Sequence, residues 1–357
     1  MSDRAAVRAE AARLLAAFQE AGATPVDPSI LQPANTLLDL YGEDIRARAF
    51  TTADPLRGEQ MLRPDFTVPV VQMHMQNGDE PSRYCYAGEV FRRQESDPAR
   101  AVEYLQAGYE VFDPRDPATS DAEVFALFSR LLAPLGLRVA TGDMGVLMAA
   151  VRGLTASDRR KEMLLHHVWR PRRFRTLLDR FGGKGARDRR KLLQTADPLA
   201  KAGPEIGLRT RADVLVRLEA LRAEADEPPI PAAEVELLDD ILDLKETAPN
   251  VLAHLRDMAV DMPAIADAVA RFEARLEALE TAGVDVATLE FEASYGRTSM
   301  EYYDGFVFGF YAEGRPDLPP VATGGRYDAL TRVLGQGRSS PAVGGVIRPA
   351  LTLELAT

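Results

Sequence analysis

The sequence predicts an α+β fold in which one antiparallel sheet, flanked by helices, is interrupted by a helical insertion. Segments with alternating apolar and polar residues lie towards both ends of the 357-residue chain. The stretch between them is rich in Ala, Leu, Arg and Glu with helical periodicity. We therefore predict a main domain over residues 1–144 and 284–357 and a mainly helical insertion over residues 145–283.

The first predicted elements are a helix and two strands. Apolar residues recur at helical spacing from Val7 to Phe18, and Gly22 is a typical residue after a helix end. The segments RYCYAGEVFRR, from Arg83, and EYLQAGYEVF, from Glu103, alternate clearly. They predict antiparallel strands joined by a polar loop.

A further strand pair is predicted near the end of the chain. Its members are LEFEASYG, from Leu289, and EYYDGFVFGFY, from Glu301. If the second segment is a strand throughout, Tyr303 and Gly305 share one face. A glycine inside a strand often marks the close approach of a ligand or of backbone, and a bulge is the alternative.

Two amphipathic helices are predicted inside the insertion. Their apolar residues run from Leu237 to Leu244 and from Ile265 to Leu279. The segment EADEPPIP, which begins at Glu224, predicts a loop between helices.

Composition indicates a globular protein without a broad nucleic-acid-binding surface. Hydrophobic residues make up 46% and charged residues 27% of the chain. The net charge of −11 repels phosphate backbones. The one cysteine, Cys85, has no partner for an internal disulfide, which favours a reducing compartment. The sequence contains no recognisable secretion signal or membrane span, so we expect a cytoplasmic protein without a membrane partner.

One region departs from this acidic character. Between Arg152 and Lys201 there are fifteen Lys or Arg residues against five Asp or Glu residues, a local net charge of about +10. A solvated helical face is one interpretation of this basic region. Contact with a nucleic acid and docking of an acidic protein partner are the alternatives.

The strand from Glu103 carries the most informative candidate site. Side chains two residues apart share a face, so Gln106, Gly108 and Glu110 are expected to point the same way. Gln106 and Glu110 lie roughly 13 Å apart at about 3.3 Å per residue, and a small zwitterion with a polar ring could bridge them across the gap at Gly108. The alternative is a strand face exposed to solvent.

Arginines cluster around the loop between the two strands. Arg92, Arg93 and Arg100 could hold a carboxylate or a phosphate, with a solvated hairpin tip as the alternative. No pair of histidines has metal-ligand spacing, so we expect no metal site and no cofactor. The histidines are His74, His166, His167 and His254.

Five segments resemble the histidyl-tRNA synthetase family, which has the class II aminoacyl-tRNA synthetase fold. In chain order they are LRPDFTVPV, YAGEVFRRQ, EYLQAGYE, EYYDGFVF and TGGRYDAL. The resemblance covers about residues 24–113 and the chain from residue 289 onwards. It implies a class II synthetase-like sheet and a histidine-binding cleft. The implied contacts are Asp65 and Thr67 to the α-amino group, Arg92 to the carboxylate, Gln106 and Glu110 to the bound histidine, Tyr303 beside the imidazole and Tyr327 at the pocket.

Three departures from the family's pattern argue against aminoacylation. Thr298 stands where the family has a catalytic arginine, and the adjacent Arg297 would face the other way because a one-residue shift in a strand reverses the face. Aligning PAVGGVIRPAL with motif 3 places Leu351 at the ATP-binding arginine and Arg348 three residues early. Gln94 replaces a glutamate of motif 2. Losing one fixed charge at a reacting centre typically costs about 10²–10³ in rate, so we expect no catalytic residues.

A retained histidine pocket without ATP-binding residues resembles the regulatory subunits of short-form ATP phosphoribosyltransferase. In that family a synthetase-like homodimer joins short-form catalytic subunits in a hetero-octamer of the first enzyme of histidine biosynthesis, and L-histidine is the feedback inhibitor. The resemblance implies these partners and this effector for the chain. Because the sequence ends soon after motif 3, we also expect no anticodon-binding domain. The alternatives are an active histidyl-tRNA synthetase and a synthetase-like nucleic-acid-binding module.

Overall fold

A computed structural model describes residues 3–35, 49–94, 100–184, 193–195, 197–200, 202–204, 206–297 and 302–356. Its helices are α1 (Arg4–Glu20), α2 (Thr67–Asn77), α3 (Pro117–Leu132), α4 (Met144–Gly153), α5 (Asp158–His166), α6 (Pro171–Phe181), α7 (Arg211–Asp226), α8 (Ala232–Asp243), α9 (Ala248–Asp261), α10 (Ala266–Thr281), α11 (Asp328–Leu334) and α12 (Pro349–Leu355). Its strands are β1 (Thr24–Pro25), β2 (Leu31–Pro33), β3 (Thr51–Asp54), β4 (Gly58–Leu62), β5 (Ser82–Phe91), β6 (Glu103–Phe112), β7 (Arg138–Asp143), β8 (Lys245–Thr247), β9 (Glu290–Glu292), β10 (Phe306–Tyr311), β11 (Ala322–Arg326) and β12 (Ala342–Ile347). None of the helices in these residues has the length and apolar character needed to cross a bilayer.

The strands form one large sheet and one small sheet. The nine-stranded sheet has the order β1-β5-β6-β12-β11-β10-β7-β9-β8, and β2-β4-β3 form the second sheet. The pairs β1–β5 and β7–β9 are parallel, whereas the other neighbours are antiparallel. The predicted α+β architecture with a mainly antiparallel sheet is therefore confirmed.

The predicted hairpin and first helix are also confirmed. β5 and β6 pair over ten residues each, in a register that places Tyr86 opposite Gly108. Helix α1 begins after Asp3, whose carboxylate accepts a hydrogen bond from the backbone of Ala5, and Gly22 beyond its end has a positive φ of 90°. Such a φ is accessible to glycine without steric cost.

The predicted pairing of the two late segments is wrong. β9 and β10 both join the large sheet, but β7 lies between them. β10 begins only at Phe306, so Tyr303 and Gly305 precede the strand and do not alternate with it. Alternation reveals the faces of a strand but not its neighbours, which are set by contacts between distant parts of the chain.

One face of the large sheet is covered by α1 and α3. Phe18 of α1 contacts Tyr109 of β6, with ring centroids 5.6 Å apart. Phe125 and Phe128 of α3 contact Phe308 of β10, with centroid separations of 5.4 and 5.7 Å. These rings are fully buried or nearly so, and they make this face the apolar core of the sheet.

The opposite face of the same strands carries the candidate site. Gln106, Gly108 and Glu110 of β6 lie on this face, and Val346 of β12 is the register partner of Gly108. Gln106 and Glu110 are both 0% exposed, so the alternative of a solvent-facing strand is wrong. The segment before α2 and the segment before β10 cover this part of the sheet.

The chain between β7 and β9 is mainly helical in its described part, and both amphipathic helices predicted there are present as α8 and α10. The predicted loop from Glu224 begins later, because α7 continues to Asp226. This region also contributes β8 to the edge of the large sheet, and α10 packs against α3. The division of the chain into a domain and an insertion, at residues 144 and 284, stays a prediction.

A buried network of ion pairs joins α10 to the sheet. Asp121 of α3 accepts hydrogen bonds from Arg326 of β11, at 2.7 and 3.0 Å, and from Arg275 of α10, at 3.4 Å. Arg275 also pairs with Asp143 at the end of β7, and Arg326 with Asp328 at 3.0 Å. Asp121, Arg275 and Arg326 are at most 7% exposed. Such charges are tolerated in a protein interior only when paired.

Removing the central carboxylate should destabilise the fold. We expect Asp121→Asn to lower the free energy of unfolding by about 3 kcal/mol, because two buried arginines each lose one of their two carboxylate partners. Urea denaturation followed by circular dichroism measures this loss. The matched control is Glu103→Gln, which removes an exposed ion pair with Arg4 and should cost at most about 1 kcal/mol. Equal stability of Asp121→Asn and the wild type would contradict this role.

Candidate functional site

A cavity of about 140 Å³ lies on the face of the large sheet opposite α1 and α3. An apolar cavity of roughly 150 Å³ accommodates benzene, so this volume suits a small molecule with one ring. Polar and charged groups converge on it from several elements. The lining residues are Asp65, Thr67, Arg92, Gln106, Tyr302, Tyr303, Pro320, Thr323, Gly345, Val346 and Arg348.

Five of the seven predicted site residues line this cavity. They are Asp65, Thr67, Arg92, Gln106 and Tyr303. The remaining two, Glu110 and Tyr327, are not among the lining residues and lie behind the wall. The sequence segments that supply the five residues lie far apart in the chain, and the fold brings them together.

Gln106 is the polar group most clearly prepared for a ligand. Its side chain is fully buried, and neither its amide oxygen nor its amide nitrogen has a hydrogen-bond partner among the described residues. A buried amide without partners costs free energy. Since Gln106 lines the cavity, a ligand there could satisfy both atoms.

Asp65 and Thr67 reach the cavity from the start of α2. Asp65 accepts a hydrogen bond from the backbone of Val68 at 3.3 Å. The segment before the helix is held against β5, because the Arg63 guanidinium donates to the Glu89 carbonyl at 2.8 Å. Asp65 and Thr67 are 3% and 5% exposed, so both are fixed within the wall.

Of the three clustered arginines, Arg92 alone lines the cavity. Its Nε donates to the carbonyl of Pro64 at 2.7 Å, which fixes the side chain beside the segment before α2. Arg93 and Arg100 are exposed. The predicted anion-binding role therefore stays open for Arg92, and the other two fit the alternative of a hairpin tip.

Glu110 is held by three hydroxyl groups of the protein. Its Oε1 accepts from Tyr86 at 2.7 Å and from Thr67 at 3.0 Å. Its Oε2 accepts from Tyr327 at 2.5 Å. Glu110 and Tyr327 therefore form the layer behind the cavity, and Thr67 connects this layer to the lining.

The expected gap at Gly108 is filled by the protein itself. A Cβ atom at Gly108 would lie 2.2 Å from Cζ of Tyr86, whose ring occupies the space beside the glycine. The prediction that a ligand spans Gln106 to Glu110 across Gly108 is therefore wrong. The glycine instead allows Tyr86 to reach Glu110, a contact set by the pairing of β5 with β6.

Hydrogen bonds of Asp304 connect the two segments of the site that carry Tyr303 and Tyr327. Its backbone N–H donates to the carbonyl of Arg326 at 3.0 Å, and its carboxylate accepts from the backbone of Ala329 at 2.8 Å. These bonds link the segment that carries Tyr303 to the turn that carries Tyr327. The second carboxylate oxygen of Asp304 has no partner among the described residues.

Two buried carboxyl groups near the cavity have raised pKa values. Burial raises the pKa of Glu110 to about 7, and the nearby Asp65 adds to this while the three hydroxyl donors oppose it. Burial, with a contribution from Asp328, likewise raises the pKa of Asp304 to about 7. Perturbed pKa values of this kind cluster at functional sites.

Leu351, which aligns with the ATP-binding arginine of motif 3, does not line the cavity, whereas Arg348 does. Leu351 lies on α12 and packs against the hydrophobic core. Arg348, three residues earlier, lines the same cavity as Arg92. The reason is strand register, because Arg348 follows β12 directly and continues the alternation of Val346 on the cavity face.

Arg297 does not reach the cavity. Its Nε donates to the carbonyl of Val168 at 2.8 Å, and its guanidinium lies over the ring of Phe174. It is in a turn, so the predicted reason, reversal of a strand face, does not apply. Thr298 lies outside the described residues. Gln94 donates to the carbonyl of Ala101 in the hairpin loop.

The described part of the basic region is neutralised in part by acidic residues of α7 and α8 and of the loop between them. Pairs form between Arg160 and Glu227, Arg175 and Asp239, and Arg180 and Glu224. Arg172 and Arg173 are exposed. No group of three metal-binding side chains occurs among the described residues.

Sequence reasoning missed Tyr86, Arg348 and Asp304. The alternation of β5 indicates that Tyr86 shares a face with Gly88, but not that it lies opposite Gly108. Arg348 follows an alternating segment, and this signal would have placed it on the site face. Asp304 adjoins the predicted Tyr303, yet its partners are remote in sequence.

The sheet and the convergence of these segments define a class II aminoacyl-tRNA synthetase-like protein. The sequence profile described as histidyl-tRNA synthetase matches residues 2–350. A solved structure titled as an ATP phosphoribosyltransferase regulatory subunit/histidyl-tRNA synthetase from Bacillus halodurans superposes with a TM-score of 0.69 at 19% identity. That match covers 100% of this chain and 82% of the other, and at this identity it shows the fold alone.

Two curated relatives identify the family within this fold to which the chain belongs. An ATP phosphoribosyltransferase regulatory subunit from Rhizobium rhizogenes is 31% identical over 358 residues, covering 93% of each chain. A protein of the same name from Brucella anthropi is 31% identical over 345 residues, covering 89% of each. The chain therefore belongs to the family of ATP phosphoribosyltransferase regulatory subunits, the non-catalytic members of this synthetase-like fold.

The raised pKa of Glu110 predicts a pH dependence of stability. In the unfolded chain this carboxyl titrates near 4.5, so between about pH 5 and 7 the folded protein binds the extra proton. The free energy of unfolding should therefore fall as the pH rises through this range. Glu110→Gln removes this titration. Its free energy of unfolding, measured by urea denaturation between pH 5 and 7.5, should therefore fall less steeply with pH than that of the wild type.

Two features of this comparison isolate Glu110. Asp304 and His74 also have shifted pKa values, but they are present in both proteins, and their contributions cancel in the difference. The exposed-site variant Glu103→Gln is the control and should follow the wild-type curve. A Glu110→Gln curve parallel to the wild type would show that Glu110 is ionised throughout.

Proposed function

We propose that the chain is the histidine-sensing regulatory subunit of a short-form ATP phosphoribosyltransferase. In this role it is required for the activity of the catalytic subunit in the first step of histidine biosynthesis, and L-histidine acts through it as feedback inhibitor. The names of the relatives support the partner. The observation that carries the histidine proposal is the buried, unpartnered amide of Gln106 in a cavity of suitable size.

The cavity offers a complementary group to each part of histidine. We assign Asp65 and Thr67 to the α-amino group, Arg92 to the carboxylate and Tyr303 to the side of the imidazole. Carboxylates and hydroxyls accept from ammonium groups, and guanidinium forks match carboxylates. Gln106 supplies both a donor and an acceptor. Glu110 and Tyr327 act from the second layer by fixing Thr67.

Inhibition requires more than binding. Histidine can inhibit only if it binds the active and the inactive arrangements of the complex with different affinities. By linkage, the catalytic subunit then changes the affinity for histidine by the same factor. We propose a homodimer in a hetero-octamer with the catalytic subunit, in the cytoplasm, without nucleic acid or membrane.

Reconstitution tests the proposal directly. Purified chain mixed with a short-form catalytic subunit should produce transferase activity that the catalytic subunit alone lacks, and L-histidine should lower it. The isolated chain should show no histidine-dependent pyrophosphate exchange. Charging of tRNA by the isolated chain would instead establish an active synthetase, and retention on tRNA at physiological salt would favour the nucleic-acid-binding module.

Gln106 provides a residue-level prediction. Gln106→Leu should weaken L-histidine binding about 3- to 10-fold in calorimetry, the equivalent of a lost neutral hydrogen bond. Its free energy of unfolding should stay equal or rise, because the unpaired buried amide is removed. Gln94→Leu, outside the cavity, is the matched control. Unchanged histidine affinity in Gln106→Leu would remove the main support for this site.

A further inference from the structure

Two guanidinium groups share the candidate cavity. Arg92 reaches it from the end of β5, and Arg348 reaches it from the end of β12. Among the lining residues, Asp65 is the one carboxylate. The charged groups of the lining therefore carry a net charge of +1 before any ligand is bound.

Arg348 is held in place by neutral groups. Its backbone N–H donates to the carbonyl of Val321 at 2.9 Å, and its guanidinium donates to the carbonyl of Pro320. Among the described residues no carboxylate lies within ion-pair distance of this guanidinium. The guanidinium also interacts with the neutral side chain of Tyr104. A half-buried arginine whose partners are carbonyl oxygens and a phenol keeps its full charge for a ligand.

The two cations oppose each other in a partly desolvated space. Burial lowers the pKa of Arg348, and the nearby Arg92 lowers it further. Like charges repel more strongly where water is excluded, so an anion between them relieves an unfavourable interaction as well as forming hydrogen bonds. The planar fork of arginine fits the two oxygens of a carboxylate.

We propose that Arg348 binds the α-carboxylate of the amino-acid ligand together with Arg92, so that the cavity selects for a free carboxylate. This inference rests on the proposed histidine site and adds to it a contact and a rule of specificity. An amine that carries the imidazole but no carboxylate would leave the guanidinium of Arg348 without an anionic partner and would bind weakly.

The test compares two ligands that differ at one group. L-histidinol has the amine and imidazole of L-histidine but a hydroxymethyl group in place of the carboxylate. Calorimetry should show wild-type protein preferring L-histidine. Arg348→Gln should weaken L-histidine about 10- to 100-fold, as for a lost charged hydrogen bond, and leave L-histidinol within about 2-fold. Arg348→Lys should fall between, since it keeps the charge and loses the fork.

Controls separate the possible outcomes. Arg152→Gln, an exposed arginine on α4, should leave both affinities unchanged. Equal weakening of both ligands by Arg348→Gln would assign Arg348 a structural role and overturn the inference. If Arg348→Gln keeps the affinity for L-histidine but loses the affinity for ATP, the inference is also overturned. Arg348 would then bind a phosphate and not the α-carboxylate. If wild-type protein binds no L-histidine, the proposed function itself fails, and this inference fails with it.

Discussion

The buried carboxylate of Glu110 holds the back wall of the cavity together. Its two oxygens accept hydrogen bonds from Thr67 on α2, Tyr86 on β5 and Tyr327 between β11 and α11. No part of Glu110 reaches solvent, so each hydroxyl replaces a water that the carboxylate would otherwise bind. Satisfied buried networks of this kind rigidify a core, and the lining residues therefore stand on a fixed support.

Local periodicity accounts for what the sequence predicted well. The hairpin β5–β6, helix α1 and the amphipathic helices α8 and α10 each have a pattern that is complete within the segment itself. The resemblance to class II synthetases predicted that segments far apart in the chain meet at one site. Five of the seven site residues that it implied line one cavity. The family predicted from these segments agrees with the names of relatives that match 89–93% of the chain.

The main failures concern which residues of neighbouring strands and helices contact each other. The neighbours of β6 are β5 and β12, and no local pattern reveals that Tyr86 and Val346 are the residues opposite Gly108. The gap at Gly108 illustrates this, because a missing side chain was interpreted as space for a ligand although a neighbouring ring fills it. The buried ion pairs of Asp121 likewise join three elements whose proximity is a property of the whole fold.

A crystal structure with L-histidine bound tests most directly the claim that this cavity is the effector site. The account predicts one histidine in the cavity, with Gln106 and the two arginines Arg92 and Arg348 at hydrogen-bond distances of about 2.7–3.2 Å from the ligand. The Glu110 layer should be unchanged behind it. A histidine bound elsewhere, or a cavity that stays empty at saturating ligand, would contradict the account.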